Sequence, residues 1–317
     1  MNITLRQLQV FDAVARHLNY TRAAEELFLS QPAVSMQIKQ LEENLGESLL
    51  EQMGKKIYLT EAGKEVYRYS QAIENQLNEM QMVLSDMKGL QHGKLSLTVA
   101  STANYFVPTL LGIFNQRHKG VSVDIDVTNR ENLLKALAAN TTDFAIMGSP
   151  PEGLGLELEA HPFMENPLVM LAAPDHPLAD RKQIPLQEFT EETLIMREPG
   201  SGTRAARERF FKDRGISDFS KTMEMNSNEA IKQAVQAGLG LGVLSIHTME
   251  VELMLKRLVV LDVEGFPIMR HWYIVHRKGK RFSAISQAFK EFVLNEAQSL
   301  LKLPSADSTK QDNIPPA

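Results

Sequence analysis

The chain has 317 residues, 43% of them apolar and 23% charged, with a formal net charge of −5 at pH 7 and no cysteine. That length exceeds a single hydrophobic core and calls for two or three domains, while the missing cysteines exclude disulfides and thiolate metal centres. No apolar run is long enough to cross a membrane, and Met1-Asn-Ile-Thr-Leu-Arg-Gln-Leu8 lacks the apolar stretch of a secretory signal, so a cytoplasmic location is expected.

Leu5, Leu8, Phe11, Val14 and Leu18 mark a first amphipathic helix. Residues 19–46 then read as two helices joined by a tight bend. Thr21 is the expected N-cap of the first; Ser30 is that of the second, with Pro32 in its first turn and Gly46 as its stop. Val34, Ile38, Leu41 and Leu45 recur at steps of four, three and four, which places them on one buried stripe. The opposite face carries Gln31, Pro32, Ser35, Met36 and Lys39, small or polar groups suited to base edges and phosphates. Such a pair is a helix-turn-helix, whose second helix enters the major groove of duplex DNA. Met36 would meet a thymine methyl group.

Leu49 to Leu59 reads as two short strands around Gly54, a hairpin wing with Lys55 and Lys56 at its tip. Thr21, Arg22, Gln31, Pro32, Ser35, Met36, Lys39, Lys55 and Lys56 are therefore the candidate DNA-contacting residues. Charge argues the other way. Residues 1–90 hold nine Lys and Arg against twelve Asp and Glu, whereas a DNA binder is expected to be basic. The expected resolution is local: Arg22, Lys39, Lys55 and Lys56 converge on phosphates while the carboxylates lie behind.

Thr60 caps a helix predicted to run to about Met87. Val66, Ile73, Met80 and Met87 fall seven apart, and Leu77 and Leu84 fill the seam between them, the repeat of a coiled coil. The competing reading is an amphipathic helix packed on its own domain, and Gly63 and Ser70 weaken the seam at its start. A two-fold homodimer, or a homotetramer, would present two reading helices to a roughly palindromic site.

Gln91 to Lys94 breaks that helix, and strands then alternate with helices. The expected strands lie at 95–100, 121–127, 144–147, 168–173, 194–196, 223–225, 241–244 and 272–276, and the expected helices at 106–117, 132–139, 203–214, 228–237, 247–255 and 284–300. The alternation implies parallel sheets with covered faces. Residues 303–317 read as a disordered tail.

Arg197-Glu-Pro-Gly-Ser-Gly-Thr-Arg204 follows a strand and opens a helix. Gly200 and Gly202 allow close backbone approach, Ser201 and Thr203 add hydroxyls, and Arg197 and Arg204 supply fork donors, a combination suited to a phosphate or carboxylate. An ordinary helix cap explains the loop equally well. Two other strand ends look alike, at Ser101-Thr102-Ala-Asn104 and at Asn226-Ser-Asn228, and three polar caps on one cleft would exceed what capping needs.

Weaker motifs carry little. Gly238-Leu-Gly-Leu-Gly242 follows a helix and precedes a strand, the reverse of a dinucleotide loop. His276-Arg-Lys-Gly-Lys-Arg281 reads as a solvated basic loop. The eight histidines show no HxH or HExxH spacing, so no metal site is expected, and no nucleophile elbow is present.

The order and spacing of Leu5-Arg-Gln-Leu-Gln-Val-Phe11, Thr21-Arg-Ala-Ala-Glu-Glu-Leu27, Ser30-Gln-Pro-Ala-Val-Ser35, Ile38-Lys-Gln-Leu-Glu42, Leu45-Gly46 and Leu59-Thr-Glu-Ala-Gly63 resemble the amino-terminal domain of the LysR-type transcriptional regulators. Leu50 and Gln52 stand where that family commonly has Phe and Arg. The 51–60 wing and the 198–204 loop are most similar to regulators of RuBisCO operons. The resemblance implies a winged helix-turn-helix domain at 1–60, a dimerisation helix at 61–90, and a two-lobed α/β effector domain at 91–302 that resembles periplasmic binding proteins. Lobe I would take 91–164 and 270–302 and lobe II 165–269, with crossings near Met164 and Met269 and the ligand between the lobes. It further implies a phosphorylated or nucleotide effector, no cofactor, no enzymatic activity, no membrane partner, and RNA polymerase as a further candidate partner. A regulator of another operon with a carboxylate effector, or a small-molecule binder or enzyme built on the α/β half, are the alternatives.

Overall fold

The computed structural model describes residues 2–54, 56–86, 93–151, 153, 155–216 and 219–301; Lys55, Met87, Gln91 and the 303–317 tail lie outside them. The chain divides into two compact units, Met1–Met87 and Lys88–Ala317.

In the first unit, α1 spans Leu5–His17, α2 Tyr20–Glu26 and α3 Gln31–Leu45. Thr4 and Gln7 close a reciprocal capping box on α1: each side chain accepts from the other's backbone N–H. The cap of α2 is Asn19, not Thr21; its Oδ1 accepts from Thr21 N and Arg22 N, which leaves Thr21 inside the helix and exposed. The Asn19 side-chain amide, two positions earlier, reaches the free N–H groups of the first turn. Ser30 caps α3 through Ala33 N, and Gly46 ends it at φ 74°. Val34, Ile38 and Leu41 are buried against Val10, Phe11, Val14 and Ala23, while Leu45 is half-buried. Each such fully buried side chain contributes roughly 1.5–3 kcal/mol. Leu5 and Leu18 leave the expected α1 stripe. The core takes the Val10–Phe11–Val14 face, and Leu18 sits beyond the helix end in a left-handed conformation.

Strands β1, Leu50–Met53, and β2, Lys56–Leu59, pair antiparallel and form the hairpin. Helix α4, Glu61–Asp86, begins where Thr60 Oγ1 accepts from Gly63 N and donates to Ser48 O. Gly63 is a requirement of that junction, because a Cβ there would collide with the Leu49 carbonyl oxygen. Val66 packs onto the unit's own core and so leaves the expected heptad seam. Leu77 is half-buried, while Ile73, Met80 and Leu84 stay exposed along α4.

The second unit holds two five-stranded sheets. In the first, β3 (Gly93–Ala100), β4 (Val121–Thr128) and β5 (Phe144–Met147) are parallel, and β12 (His271–Arg277) and β6 (Leu158–Glu165) complete the order β4-β3-β5-β12-β6. In the second, β8 (Thr193–Arg197), β9 (Lys221–Met225) and β10 (Leu241–Ser245) are parallel, and β7 (Leu168–Ala172) and β11 (Val259–Val260) complete β11-β7-β10-β8-β9. The sheets are mixed rather than purely parallel: β12 runs antiparallel to β5 and β6, and β7 to β10 and β11. The helices α5 (Val107–Arg117), α6 (Arg130–Ala139), α7 (Gly202–Lys212), α8 (Asn228–Gln236) and α10 (Ala284–Leu300) cover them. The helix expected over 247–255 is split into a 3₁₀ turn at Ile246–Thr248 and the short α9, Glu250–Met254.

The chain passes from one sheet to the other between β6 and β7 and returns between β11 and β12. The two crossing segments are bonded to each other: Asn166 N donates to Arg270 O, and Leu168 and Ile268 exchange both backbone bonds. Strands β6 and β11 escape the sequence pattern. β6 carries Pro162 and a register irregularity opposite Trp272–Tyr273, both tolerable because it is an edge strand.

Candidate DNA-reading face and ligand cleft

On α3, Gln31, Pro32, Ser35, Met36 and Lys39 are all exposed, Met36 at 54%. Thr21 and Arg22 are exposed on α2, as is Lys56 on the wing. Lys39 lies 3.8 Å from Glu43, one turn further along α3. The acidic balance of this unit is absorbed in its scaffold. Asp12 and Glu26 both hold Arg16, whose Nε is 2.8 Å from Asp12 Oδ2 and whose Nη2 is 2.5 Å from Glu26 Oε1. His17 adds a contact at 2.5 Å, and these partners, Arg16 foremost, hold the Glu26 carboxyl down at about 2. Glu42 Oε1 accepts from the backbone N–H groups of Leu49 and Leu50 at 2.7 and 3.2 Å and so ties the wing to α3. Three of the twelve carboxylates thus stabilise the frame that presents α3.

In the second unit a cleft opens between the two sheets at the carboxyl ends of their parallel strands, the usual place for a ligand in such folds. Of the residues singled out in the sequence, Ser101, Thr102, Arg197, Ser201, Gly202 and Thr203 line it. Ser201 holds the N-cap position of α7 but makes no side-chain capping bond, so its hydroxyl and the helix N-terminus remain available to an anion. Helix capping alone does not account for this loop.

Other expected residues do not reach the cleft lining. Arg204 is committed to the frame: Nε binds Glu208 at 2.7 Å, and Nη1 binds Glu224 at 2.7 Å and Arg197 O at 3.0 Å. Gly200 supplies the turn at φ 84°. Asn104 and Asn226 are exposed outside the cleft. Asn228 acts from behind: buried, it accepts from Arg197 Nη1 at 2.6 Å. Arg197 is itself neutralised by Glu198, which accepts from Nε at 2.7 Å and from Nη2 at 2.8 Å.

The uncompensated charge comes from two arginines that the sequence pattern did not single out. Arg130 opens α6 and donates to Ser149 O at 3.2 Å; Arg270, on the return crossing, donates to Gly202 O at 3.1 Å. Neither forms an ion pair with a carboxylate among the described residues. Burial, then the proximity of Arg130 and Arg209, pushes Arg270 down to about 10, and burial followed by Arg209 lowers Arg130. Both shifts mark a site that favours added negative charge. Asn166 Oδ1 and Trp272 Nε1 are buried without a hydrogen-bond partner among the described residues, and both residues line the same cleft. The cleft therefore combines unmatched positive charge with one free acceptor and one free donor. The signal for Arg270 and Asn166 lay in the crossings, which no periodicity marks.

Residues 5–64 match the bacterial regulatory helix-turn-helix proteins of the lysR family, and residues 88–298 match the LysR substrate binding domain. The chain belongs to the LysR family. Among LysR relatives, a RuBisCO operon transcriptional regulator of Allochromatium vinosum is 57% identical over 297 residues, covering 94% of this chain and 97% of that one. The HTH-type transcriptional activator CmpR of Synechocystis sp. is 46% identical over 304 residues, covering 95% and 99%. The regulatory domain of Synechocystis PCC6803 CcmR, solved in complex with 2-PG, is 42% identical with a TM-score of 0.61, covering 64% of this chain and 96% of that domain.

Proposed function

We propose that this LysR-family chain is a transcriptional regulator of carbon-fixation genes, RuBisCO operons foremost, whose DNA binding or bending responds to a small phosphorylated anion in the cleft. The observation that carries this reading is the pair of arginines, Arg130 and Arg270, half-buried at the cleft and ion-paired with no carboxylate among the described residues. A dianionic phosphate satisfies two such forks better than a single carboxylate does. The names of the relatives and the 2-PG complex of the 42% identical domain point the same way.

Ser101, Thr102, Ser201 and Thr203 supply hydroxyls to the anion, and Arg197 orders the loop. Gln31, Pro32, Ser35, Met36 and Lys39 read the groove, while Arg22 and Lys56 hold phosphates. Ile73, Met80 and Leu84 form the apolar face through which α4 pairs with a second copy. The protein acts in the cytoplasm as a homodimer or homotetramer, with RNA polymerase as its downstream partner, and catalyses no reaction.

The effector works only if it binds one arrangement of the protein better than another, and a tenfold change in DNA affinity needs about 1.4 kcal/mol of such coupling. Titrating the full chain with 2-phosphoglycolate and with glycolate, while footprinting the DNA upstream of its gene, tests this. The phosphorylated ligand alone should bind, remain unconverted and alter the footprint. Equal binding of glycolate would favour a carboxylate effector.

A further inference from the structure

We propose that Glu159, His161 and His276 form a binding site for a divalent transition-metal ion of the zinc class, at the edge of the first sheet and separate from the ligand cleft. Among the described residues this is the one group of three or more such ligands that converges, with its donor atoms within 4.8 Å of one another. The fold builds it by strand register. Alternation puts Glu159 and His161 on one face of β6, and β12 sets His276 directly opposite Glu159. Glu159 Oε2 stands 3.9 Å from His161 Nε2 and 3.8 Å from His276 Nε2. Bonds of about 2.0–2.1 Å in a tetrahedral site place neighbouring donors about 3.4 Å apart, so the Glu159 oxygen needs to approach each imidazole by roughly half an ångström, and the two imidazole nitrogens, within 4.8 Å of each other, settle to the same spacing.

The two imidazoles are prepared for this role. His276 is 3% exposed, and its Nδ1 lies 3.0 Å from Arg277 O. That contact makes Nδ1 the donor and leaves the lone pair on Nε2, the arrangement found in metal-bound histidines. His161 Nε2 is buried and has no hydrogen-bond partner among the described residues, so an available ligand atom points at the cluster without a proton acceptor or donor to meet it. Glu159 and the His161 ring remain partly exposed and give an ion a route in.

One group competes. Lys290, from α10, brings its Nζ to 2.9 Å from His276 Nε2 and donates to it. An ammonium therefore holds the place of a cation, and a metal ion would displace this flexible side chain toward solvent. Two nitrogens and one carboxylate oxygen suit zinc, cobalt or nickel rather than calcium or magnesium. A bound ion would join the edge strand β6 to β12. Trp272 lines the cleft four residues earlier on β12, about 13 Å away at the rise of an extended strand.

The test titrates the chelator-stripped full chain with Zn2+ in competition with a chromophoric chelator, and follows thermal unfolding with and without Zn2+. The wild type should bind one equivalent and melt at a higher temperature with the ion. Glu159→Gln and His161→Ala, both at partly exposed positions, should each weaken binding about tenfold or more. Lys290→Gln should tighten it, and His118→Ala should leave it unchanged. Absence of one-equivalent binding, or binding that Glu159→Gln and His161→Ala leave intact, overturns the site.

Discussion

The Arg270 guanidinium occupies the space above the Cα of Gly148: a Cβ built at residue 148 would lie 2.5 Å from Arg270 Nη2 and 3.3 Å from Cζ. Gly148 is thus the floor on which the cleft's principal positive charge rests. Gly148→Ala should displace the guanidinium and weaken 2-phosphoglycolate binding about tenfold, equivalent to about 1.4 kcal/mol. The melting temperature should barely move, because only the end of a flexible side chain shifts. Calorimetric titration beside a thermal melt separates the two effects, and full affinity in the variant would contradict the placement of Arg270.

The division between working and structural arginines gives a second expectation. Arg130→Gln or Arg270→Gln removes a charge-assisted hydrogen bond worth about 1.5–3 kcal/mol, so either should cost roughly ten- to hundredfold in phosphate affinity. Arg204→Ala breaks the contacts to Glu208, Glu224 and the Arg197 carbonyl and should lower thermal stability while changing affinity less than about threefold. A cleft that lost its ligand with Arg204→Ala alone would reverse these assignments.

What the sequence discloses here is set by the range of each interaction. The α3 stripe of Val34, Ile38 and Leu41 and the caps at Ser30 and Gly46 follow from local periodicity and backbone preference, and the helix-turn-helix was legible from them. The 197–203 loop was legible for the same reason: its hydroxyls and glycines act within one turn. Charge compensation was not. Glu198 and Arg197 are adjacent in sequence and read as two polar residues, yet their bidentate pairing removes Arg197 as a net charge. Arg270 reaches Gly202 across 68 positions, and Glu159 and His161 meet His276 only through the β6–β12 register, so spacing rules carry no trace of either. Thr21 and Val66 depart from the pattern for a simpler reason: a cap two residues earlier and a core contact of the same helix satisfy the same spacing.

Gly63 allows a third check. Gly63→Ala drives a methyl group into the Leu49 carbonyl at the junction of the wing and α4. Overpacking of this kind costs about 1–3 kcal/mol, and here the neighbour is backbone that cannot turn aside. Urea unfolding of the full chain should show the loss in the transition of the amino-terminal unit. An unchanged midpoint would mean that the junction relaxes freely.

Acid stability offers a fourth. The Glu26 carboxyl is depressed from 4.5 to about 2, by Arg16 first and His17 next. A folded-state value below the unfolded one means its contribution is complete above about 4.5 and fades as pH falls toward 2. The pair is more than one-third exposed, so the contribution stays under about 1 kcal/mol. Glu26→Gln should therefore lower stability near pH 6 and converge with the wild type near pH 2. A constant difference across that window would assign the effect to packing rather than charge.

The central claim is that the exposed face of α3 reads duplex DNA while the cleft reports the metabolite. Ser35 lies in the middle of that face and is exposed, so Ser35→Glu places a negative charge against phosphate and base edges without entering the core. Footprinting the DNA upstream of the gene with the wild type and with Ser35→Glu is the most direct measurement. The account predicts that protection disappears in the variant while its melting temperature and its affinity for 2-phosphoglycolate stay at wild-type values. Protection that persists unchanged in Ser35→Glu would contradict it.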